Sequence, residues 1–391
     1  MNSIYILLGG DGYYGRNFQY YLSQKGIKFI VIDKNEISFA EGSFKKDNFY
    51  ENELIKKCMI KYIQHDLNDK IKINELNIEF KNKNDKIIII NFAAISFVDY
   101  SILHPNETIK NNLNCCINGY KLFLNLNNSL KYIYVSTDEV NVNKSNKELS
   151  PYVISKRKCE DFLKSLENSN LENIIILRPV NLMDVIETGI CGLKQKNKCL
   201  LNKIVDVINE NNIDTNNENE NENIDVINKN ENENINNKNE NENENINNNK
   251  NEDINDKNDK IINNDNNKNI DVINENECLN KIQIHGTGEQ KRMFMTMNNA
   301  CDILFEISFK NVKDKIIDVT KISNKRTTDL KIKDIVLYLK NIYNFEIEYI
   351  NDPRGIYQDK SYLNVENNES NNSEIKNDLK LISNVISRTI N

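Results

Sequence analysis

A doubly wound α/β fold on a parallel sheet is predicted by three observations. Short continuous apolar runs alternate along the chain with segments of helical spacing, the first run ends in glycines that open a helix, and the alternation demands right-handed crossovers. Ile4 to Leu8 is apolar throughout, as expected of a strand buried on both faces. Arg16 to Lys25 follows with helical spacing through Phe18, Tyr21 and Leu22, and Gly26 stops it. Phe29 to Asp33 reads as the second strand, Glu51 to Lys57 as a helix, Ile87 to Asn91 as a strand and Thr108 to Leu124 as a long helix. Tyr132 to Val135 and Ile174 to Leu177 bring the sheet to at least five strands. Beyond Arg178-Pro179 the pattern is mixed: a helix over Leu200 to Ile208, an extended Lys281 to His285, a helix from Asn299 to Phe309, a strand at Ile316 to Val319 and a helix from Leu330 to Tyr343. These are expected to form a smaller C-terminal lobe at the strand C-termini, where open α/β sheets place their ligands.

The chain of 391 residues is 39% apolar, enough for a sizeable core. Between about Asn209 and Asn276, however, it is almost entirely Asn, Glu, Lys, Asp and Ile, and no Phe, Tyr or Trp occurs from Leu163 to Met293. Such a segment buries too little apolar surface to offset its ordering entropy, so 209–276 is read as a low-complexity disordered insertion. The phrase Asp206-Val207-Ile208-Asn209 returns at Asp225 and Asp271 with irregular spacing, which suggests local duplication and not a solenoid. A partner-binding tract is the alternative for this stretch. The expected organisation is 1–180 as the cofactor-binding domain with the reactive residues, and 181–208 with 277–391 as the substrate lobe.

A net charge of −7 and the lack of a basic patch with interleaved aromatics point away from nucleic acid. No apolar run reaches membrane-spanning length and the first strand begins by Ser3, so a cytoplasmic protein without a membrane partner is expected. The eight cysteines form no C-x-x-C pair and read as reduced, mostly buried thiols. His65, His104 and His285 are far apart, and no metal site is expected.

Gly9, Gly12 and Gly15 lie between a strand and a helix, with Tyr13 and Tyr14 opening that helix. The missing Cβ atoms let the backbone turn tightly and let a pyrophosphate approach the helix N-terminus. Asp33 closes the second strand, where a carboxylate would bond the ribose hydroxyls of NAD and repel a 2′-phosphate. Arg16 has the opposite leaning, because a guanidinium would suit that phosphate; NAD is favoured, since Asp33 would desolvate badly beside it. Ser136-Thr137-Asp138-Glu139-Val140 ends the Tyr132 to Val135 run, and Tyr152-x-x-x-Lys156 follows. A Tyr is a poor base at neutral pH, but a neighbouring ammonium and an oxidised nicotinamide both favour its phenolate, and two carboxyl groups can divide work as base and acid.

Together these residues resemble the extended short-chain dehydrogenase/reductases, the NAD-dependent epimerase/dehydratase family, whose cofactor domain is a Rossmann fold. Asp66-Leu67 is similar to the family's adenine-contacting pair. Asn91-Phe92-Ala93-Ala94 is similar to its strand-four motif, with Ala93 and Ala94 lining the cofactor cleft, and Asn112 to its helix Asn. Tyr152 and Lys156 match the catalytic Y-x-x-x-K and also touch the cofactor. Ser96 to Ile102 echoes the phrase that follows the strand-four motif in dehydratases. Thr137, Asp138 and Glu139 most resemble the dTDP-glucose 4,6-dehydratases and their UDP-sugar relatives.

The resemblance implies Glu139 as the base at C5, Asp138 as the acid at the C6 hydroxyl and Thr137 as a hydrogen-bond partner of the reacting oxygen. It also implies Ser96, Asn181 and Arg292 as substrate contacts, Arg292 through the Gly286-Thr287-Gly288…Arg292-Met293-Phe294 motif that holds a nucleotide diphosphate. Asn324-Lys325-Arg326-Thr327 and Asp352-Pro353-Arg354-Gly355 echo two further segments. Met183, Asp184 and Val185 replace the usual Tyr-Gly-Pro after Asn181, and Asn141 stands where dehydratases continue with Tyr. The implied activity is conversion of a nucleotide-diphosphate hexose to its 4-keto-6-deoxy form with tightly held NAD, by a homodimer. The alternatives are a 4-epimerase or another enzyme of NDP-sugars, or an idle NAD-binding protein whose Asn/Glu tract recruits partners.

Overall fold

The computed structural model describes residues 3–35, 49–69, 85–126, 128–141, 149–166, 173–183, 204, 207–208, 281–310, 315–321, 327–343, 345–350 and 379–380. Seven strands form one parallel sheet: β1 (Ser3–Leu8), β2 (Phe29–Asp33), β3 (Met59–Gln64), β4 (Lys86–Asn91), β5 (Ser129–Val135), β6 (Ile174–Arg178) and β10 (Ile316–Asp318). Their order is β10-β6-β5-β4-β1-β2-β3, so the winding reverses between β1 and β4. That reversal opens a crevice beyond the carboxyl ends of β1 and β4, the place where such sheets hold a ligand. The runs expected as strands from their apolar continuity are the buried centre of the sheet: Ile6, Leu7, Leu8, Ile88, Ile89 and Ile90 are fully enclosed.

Two parallel strands lie outside that expectation for different reasons. β3 is the sheet's edge, its residues only partly buried and mixed with Lys61 and Gln64, as edges that must resist pairing with other chains commonly are. β10 falls within the 277–391 segment expected to form the substrate lobe, yet it pairs in register with β6 through Ile316↔Ile176 and Asp318↔Arg178. The helix Met297–Phe309 also packs on the large sheet's layer, where Tyr14 Oη donates to Ala300 O at 2.8 Å and Tyr5 Oη meets Ser308 Oγ at 2.6 Å. A sheet face lined with Tyr5 and Leu7, flanked by Phe18 of the helix Tyr13–Gln24, needs an apolar cover, and this helix offers Cys301, Leu304 and Phe305.

The rest of the C-terminal part forms a lobe of its own. β7 (Asn181–Met183) runs parallel to β9 (Lys291–Thr296), which pairs antiparallel with β11 (Thr327–Lys331), while β8 (Lys281–His285) pairs with β12 (Glu346–Ile350). Ile282, Ile284, Phe294, Ile335, Val336 and Leu339 make its core together with Ile204 and Ile208 from the stretch expected to be helical. Cys58, Cys115, Cys116, Cys159 and Cys301 are buried free thiols. Asn324, Lys325, Arg326, the Asp352 to Gly355 echo, Asp184, Val185 and the 209–276 insertion lie outside the described residues.

Candidate active site

The glycine-rich turn sits at the sheet's switch point. Gly9 adopts φ +67, and a Cβ there would stand 2.5 Å from Ala93 Cα, so β1's turn and the strand-four motif share van der Waals contact that only glycine permits. A Cβ on Gly15 would meet Gly10 O at 2.4 Å, which closes the helix onto the turn, whereas one on Gly12 meets only Gly9 O at 3.5 Å. Gly12 is the N-cap of the Tyr13–Gln24 helix and lies exposed, and no side chain caps this helix N-terminus. That cradle fits a pyrophosphate. Tyr13 and Tyr14 border it through their backbone: Tyr14's ring is buried against Phe92 with its hydroxyl on Ala300 O, and Tyr13 O accepts from Asn17 Nδ2.

Asp33 lies at the same crevice, buried, with its carboxylate accepting from the backbone N–H of Asp11 at 2.9 Å and of Asn35 at 3.0 Å. Burial pushes its carboxyl above the ordinary range, against the pull of those two N–H bonds. Arg16 does not reach out toward a phosphate. Its guanidinium is buried, donates to Asp11 Oδ1 at 2.8 Å and lies 5.0 Å from the Phe49 ring, while Tyr50 Oη and Asn35 Nδ2 complete the Asp11 carboxylate. The cation that would suit a 2′-phosphate is therefore committed internally to the buried Asp11 carboxylate. Asp66 accepts from Asn68 N at 2.9 Å at the end of β3, and the backbone carbonyl of buried Leu67 is held by Asn118 Nδ2 at 2.8 Å.

The strand-four motif is fixed from below. Asn91 is fully buried, donates to Cys115 O and Tyr132 Oη, and accepts from Ala93 N at 3.0 Å, which turns Ala93 and Ala94 toward the crevice mouth. Asn112 takes Ile95 N at 2.7 Å, returns a bond to Ile95 O and donates to Ser155 Oγ, tying this loop to the helix Pro151–Lys164. Ser96 is exposed on the same loop.

The helix Pro151–Lys164 begins where Ser150 Oγ caps Val153 N and Pro151 occupies the first turn, which sets Tyr152 and Lys156 on one face a turn apart. Lys156 Nζ is buried, donates to Val135 O at 2.7 Å and lies 5.9 Å from the Tyr152 ring centre. Burial lowers its proton affinity. Burial, then the charges of Glu139 and Asp138, push the Tyr152 hydroxyl well up, against the hydrogen bond with Thr137 and with Lys156 drawn to Val135.

Thr137, Asp138 and Glu139 follow β5, and the turn Asp138–Asn141 carries the acids. Thr137 Oγ1 caps Glu139 N at 3.3 Å and lies 3.4 Å from Asp138 Oδ1. Asp138 N–H donates to Pro179 O, linking the turn to the end of β6. Burial first, then the Glu139 and Asp318 carboxylates, push the Asp138 carboxyl up to about 8, with Thr137 and Arg292 opposing. Arg292 on β9 thus acts on the same cleft, and Asn181 Nδ2 holds the strand beside it by donating to Met293 O at 3.0 Å. The turn, the helix pair and Arg292 converge, while Gly9, Gly12, Gly15, Asp33 and Ala93 gather at the adjoining switch point.

Beneath the turn runs a polar network with no counterpart in the motifs. Glu160 accepts from Ser136 Oγ at 2.7 Å, Arg178 Nε at 2.8 Å and Lys164 Nζ at 2.9 Å. Burial would raise its carboxyl, but these bonds outweigh it and hold it below the usual range. The spacing Lys156 to Glu160, one further helical turn, and the Arg178-Pro179 ending of β6 were the available signals.

The model of the NAD dependent epimerase/dehydratase family matches residues 5–183, the stretch from β1 to β7 that carries this site. Over these residues the chain is similar to that family. An uncharacterized protein of Schizosaccharomyces pombe is 27% identical over 197 residues, 45% of this chain and 53% of that protein, so the match spans about half the relative's length. The UDP-glucose-4-epimerase of Stenotrophomonas maltophila, with bound NAD and formylated UDP-arabinopyranose, is similar at TM-score 0.62 and 12% identity over 100% of this chain and 97% of that one. The dTDP-glucose 4,6-dehydratase of Bacillus anthracis, in complex with NAD, is similar at TM-score 0.57 and 13% identity over 99% and 96%. At these identities the likeness carries the fold. NAD is the family's cofactor, and the open glycine cradle with Asp33 beside it fits that dinucleotide. Among the described residues no helix is long and apolar enough to cross a membrane, and no His, Cys, Asp and Glu group could hold a metal ion.

Proposed function

We propose that the chain is a nucleotide-sugar 4,6-dehydratase that converts an NDP-hexose to an NDP-4-keto-6-deoxyhexose. The observation that carries this reading is the turn after β5, which sets the buried Asp138 between Thr137 and Glu139, where burial and then the Glu139 charge push its carboxyl up to about 8 and favour the acid form. Elimination across C5 and C6 needs such a division, one group to take the C5 proton and one to protonate the departing hydroxyl. A 4-epimerase has no use for a protonated acid at this position.

In this reading Tyr152 takes the C4 hydroxyl proton, Thr137 bonds the same oxygen and Lys156 orients both the tyrosine and a ribose. Glu139 takes the C5 proton and Asp138 gives its proton to the C6 oxygen. Gly9, Gly12, Gly15 and the backbone of Tyr13 and Tyr14 would hold the pyrophosphate of NAD, Asp33 a ribose, Asp66 and Leu67 the adenine, and Ala93 and Ala94 the nicotinamide side. NAD, when bound, supplies the hydride acceptor at C4 and the hydride donor at C6, without net redox change. Arg292, with Asn181 fixing its strand and Ser96 at the cleft mouth, would hold the sugar nucleotide's diphosphate end.

The test is incubation of the full chain with a panel of NDP-hexoses followed by alkali. The absorbance of a 4-ketosugar is expected from at least one of them. Conversion of a hexose to its 4-epimer with no such absorbance overturns the dehydratase assignment.

A further inference from the structure

The turn bearing Asp138 and Glu139 is held from three directions. Asp138 N–H donates to Pro179 O at 3.0 Å, and Arg157 donates to Val140 O through Nε at 3.2 Å and Nη2 at 3.1 Å. The third hold is Asn141. Its Nδ2 donates to Asp318 Oδ2 at 2.7 Å and its Oδ1 accepts from Arg178 Nη1, the arginine that Glu160 anchors. Asp318 ends β10, 177 residues further along the chain than Asn141.

Asp318 is an expensive residue to keep at this place. Its side chain is 5% exposed, and its other oxygen accepts from Thr320 N at 3.0 Å and Thr320 Oγ1 at 2.6 Å. The nearest ion-pair partner, Lys321 Nζ, stands 4.0 Å away on a largely exposed side chain. A buried carboxylate served mostly by neutral donors costs stability unless its charge or its geometry is used. No step of the proposed reaction touches it.

We propose that Asp318, acting through Asn141, is a positioning residue for the Asp138–Glu139 pair. The inference takes from the dehydratase reading only the reaction that this pair serves; the coupling between β10 and the turn is a property of the fold. An amide held at both ends by partners of opposite kind, a carboxylate on Nδ2 and a guanidinium on Oδ1, has one orientation, so the end of the turn cannot rotate. The same contact brings a charge to bear. Asp138 is faced by Glu139 from its own turn, Tyr152 from the helix Pro151–Lys164, Arg292 from β9 and Asp318 from β10. Glu139 and Asp318 favour its protonated form and Arg292 opposes them, while Asp318 itself is faced by Arg178 and Lys321. A strand contributed from beyond the long insertion therefore helps to keep the candidate acid in its acid form.

The experiment is a titration of Asp138 by carbon-13 NMR of carboxyl-labelled aspartate in the full chain, the resonance being assigned by its loss in Asp138→Asn. Asp318→Asn keeps the shape and an acceptor oxygen for Asn141 but removes the charge. Its Asp138 midpoint is expected at lower pH than the parent's; an unchanged midpoint overturns the proposal, whatever sugar the protein turns over. A lowered midpoint in a protein that dehydrates no NDP-hexose would leave the coupling standing and remove the dehydratase reading. A second variant, Asn141→Leu, breaks the link while leaving Asp318 charged. In a dehydrating enzyme it should lower kcat by about tenfold to a hundredfold at nearly constant KM, the signature of displaced reacting groups. A parent-like kcat in that variant would overturn the positioning role.

Discussion

Asp138 carries a pH-dependent cost that can be measured without any substrate. Its carboxyl keeps its proton up to about pH 8 in the folded chain but loses it near the ordinary 3.8 when unfolded. Between those values unfolding releases a proton, so the native state loses stability as pH rises; below 3.8 both states are protonated, and above about 8 both are ionised and the loss is complete. The full separation corresponds to about 5 to 6 kcal/mol as an upper bound, of which about 4 kcal/mol falls between pH 5 and pH 9. Burial is the first cause, so the cost cannot be removed by salt as that of a surface charge would be. Asp138→Asn abolishes the ionisation and keeps the side chain's shape. Relative to the parent it should gain stability from pH 5 up to about pH 8 and level off above it, by about 2 kcal/mol or more at the alkaline end once relaxation has taken its share. Urea unfolding of both proteins across that range gives the two slopes. Parallel slopes would refute the reasoning and leave Asp138 an ordinary carboxylate.

Three further outcomes are expected. Gly9→Ala must accept φ +67 and a Cβ 2.5 Å from Ala93 Cα, so it should lose about 2 to 4 kcal/mol in chemical denaturation and weaken NAD binding measured by calorimetry. Arg16→Met removes the buried ion pair of the Asp11 carboxylate while Tyr50 and Asn35 still donate to it, and should cost about 3 to 5 kcal/mol without conferring any affinity for NADP. Tyr152→Phe should preserve the melting temperature and NAD affinity while turnover of an NDP-hexose falls by at least about a hundredfold.

Much of the sheet was legible because its central strands are enclosed on both faces and therefore apolar without interruption, as in Ile4–Leu8 and Ile87–Ile90. The same rule hides the edge strand Met59–Gln64, whose exposure lets Lys61 and Gln64 into it. It is equally silent on β10: three residues, Ile316 to Asp318, announce a strand but not that they return to β6 across the whole C-terminal part. In the site, the glycine turn and the Tyr152–Lys156 spacing were readable because backbone geometry alone demands them. Arg16 was not, since its direction depends on Asp11, Phe49 and Tyr50, which only the fold assembles. Nor was the Asp318–Asn141–Arg178–Glu160 chain, whose members come from four separate elements.

The proposed chemistry is tested most directly by the fate of the hydrogen at C5. Turnover of an NDP-hexose in deuterated water, followed by NMR of the product, should place deuterium at C5 of a 4-keto-6-deoxyhexose, because the proton that Glu139 removes exchanges with solvent before a new one is delivered. Glu139→Gln should lose both the label and the product. A product that keeps its original C5 hydrogen and its C6 hydroxyl, formed equally well by Glu139→Gln, would contradict the dehydratase account.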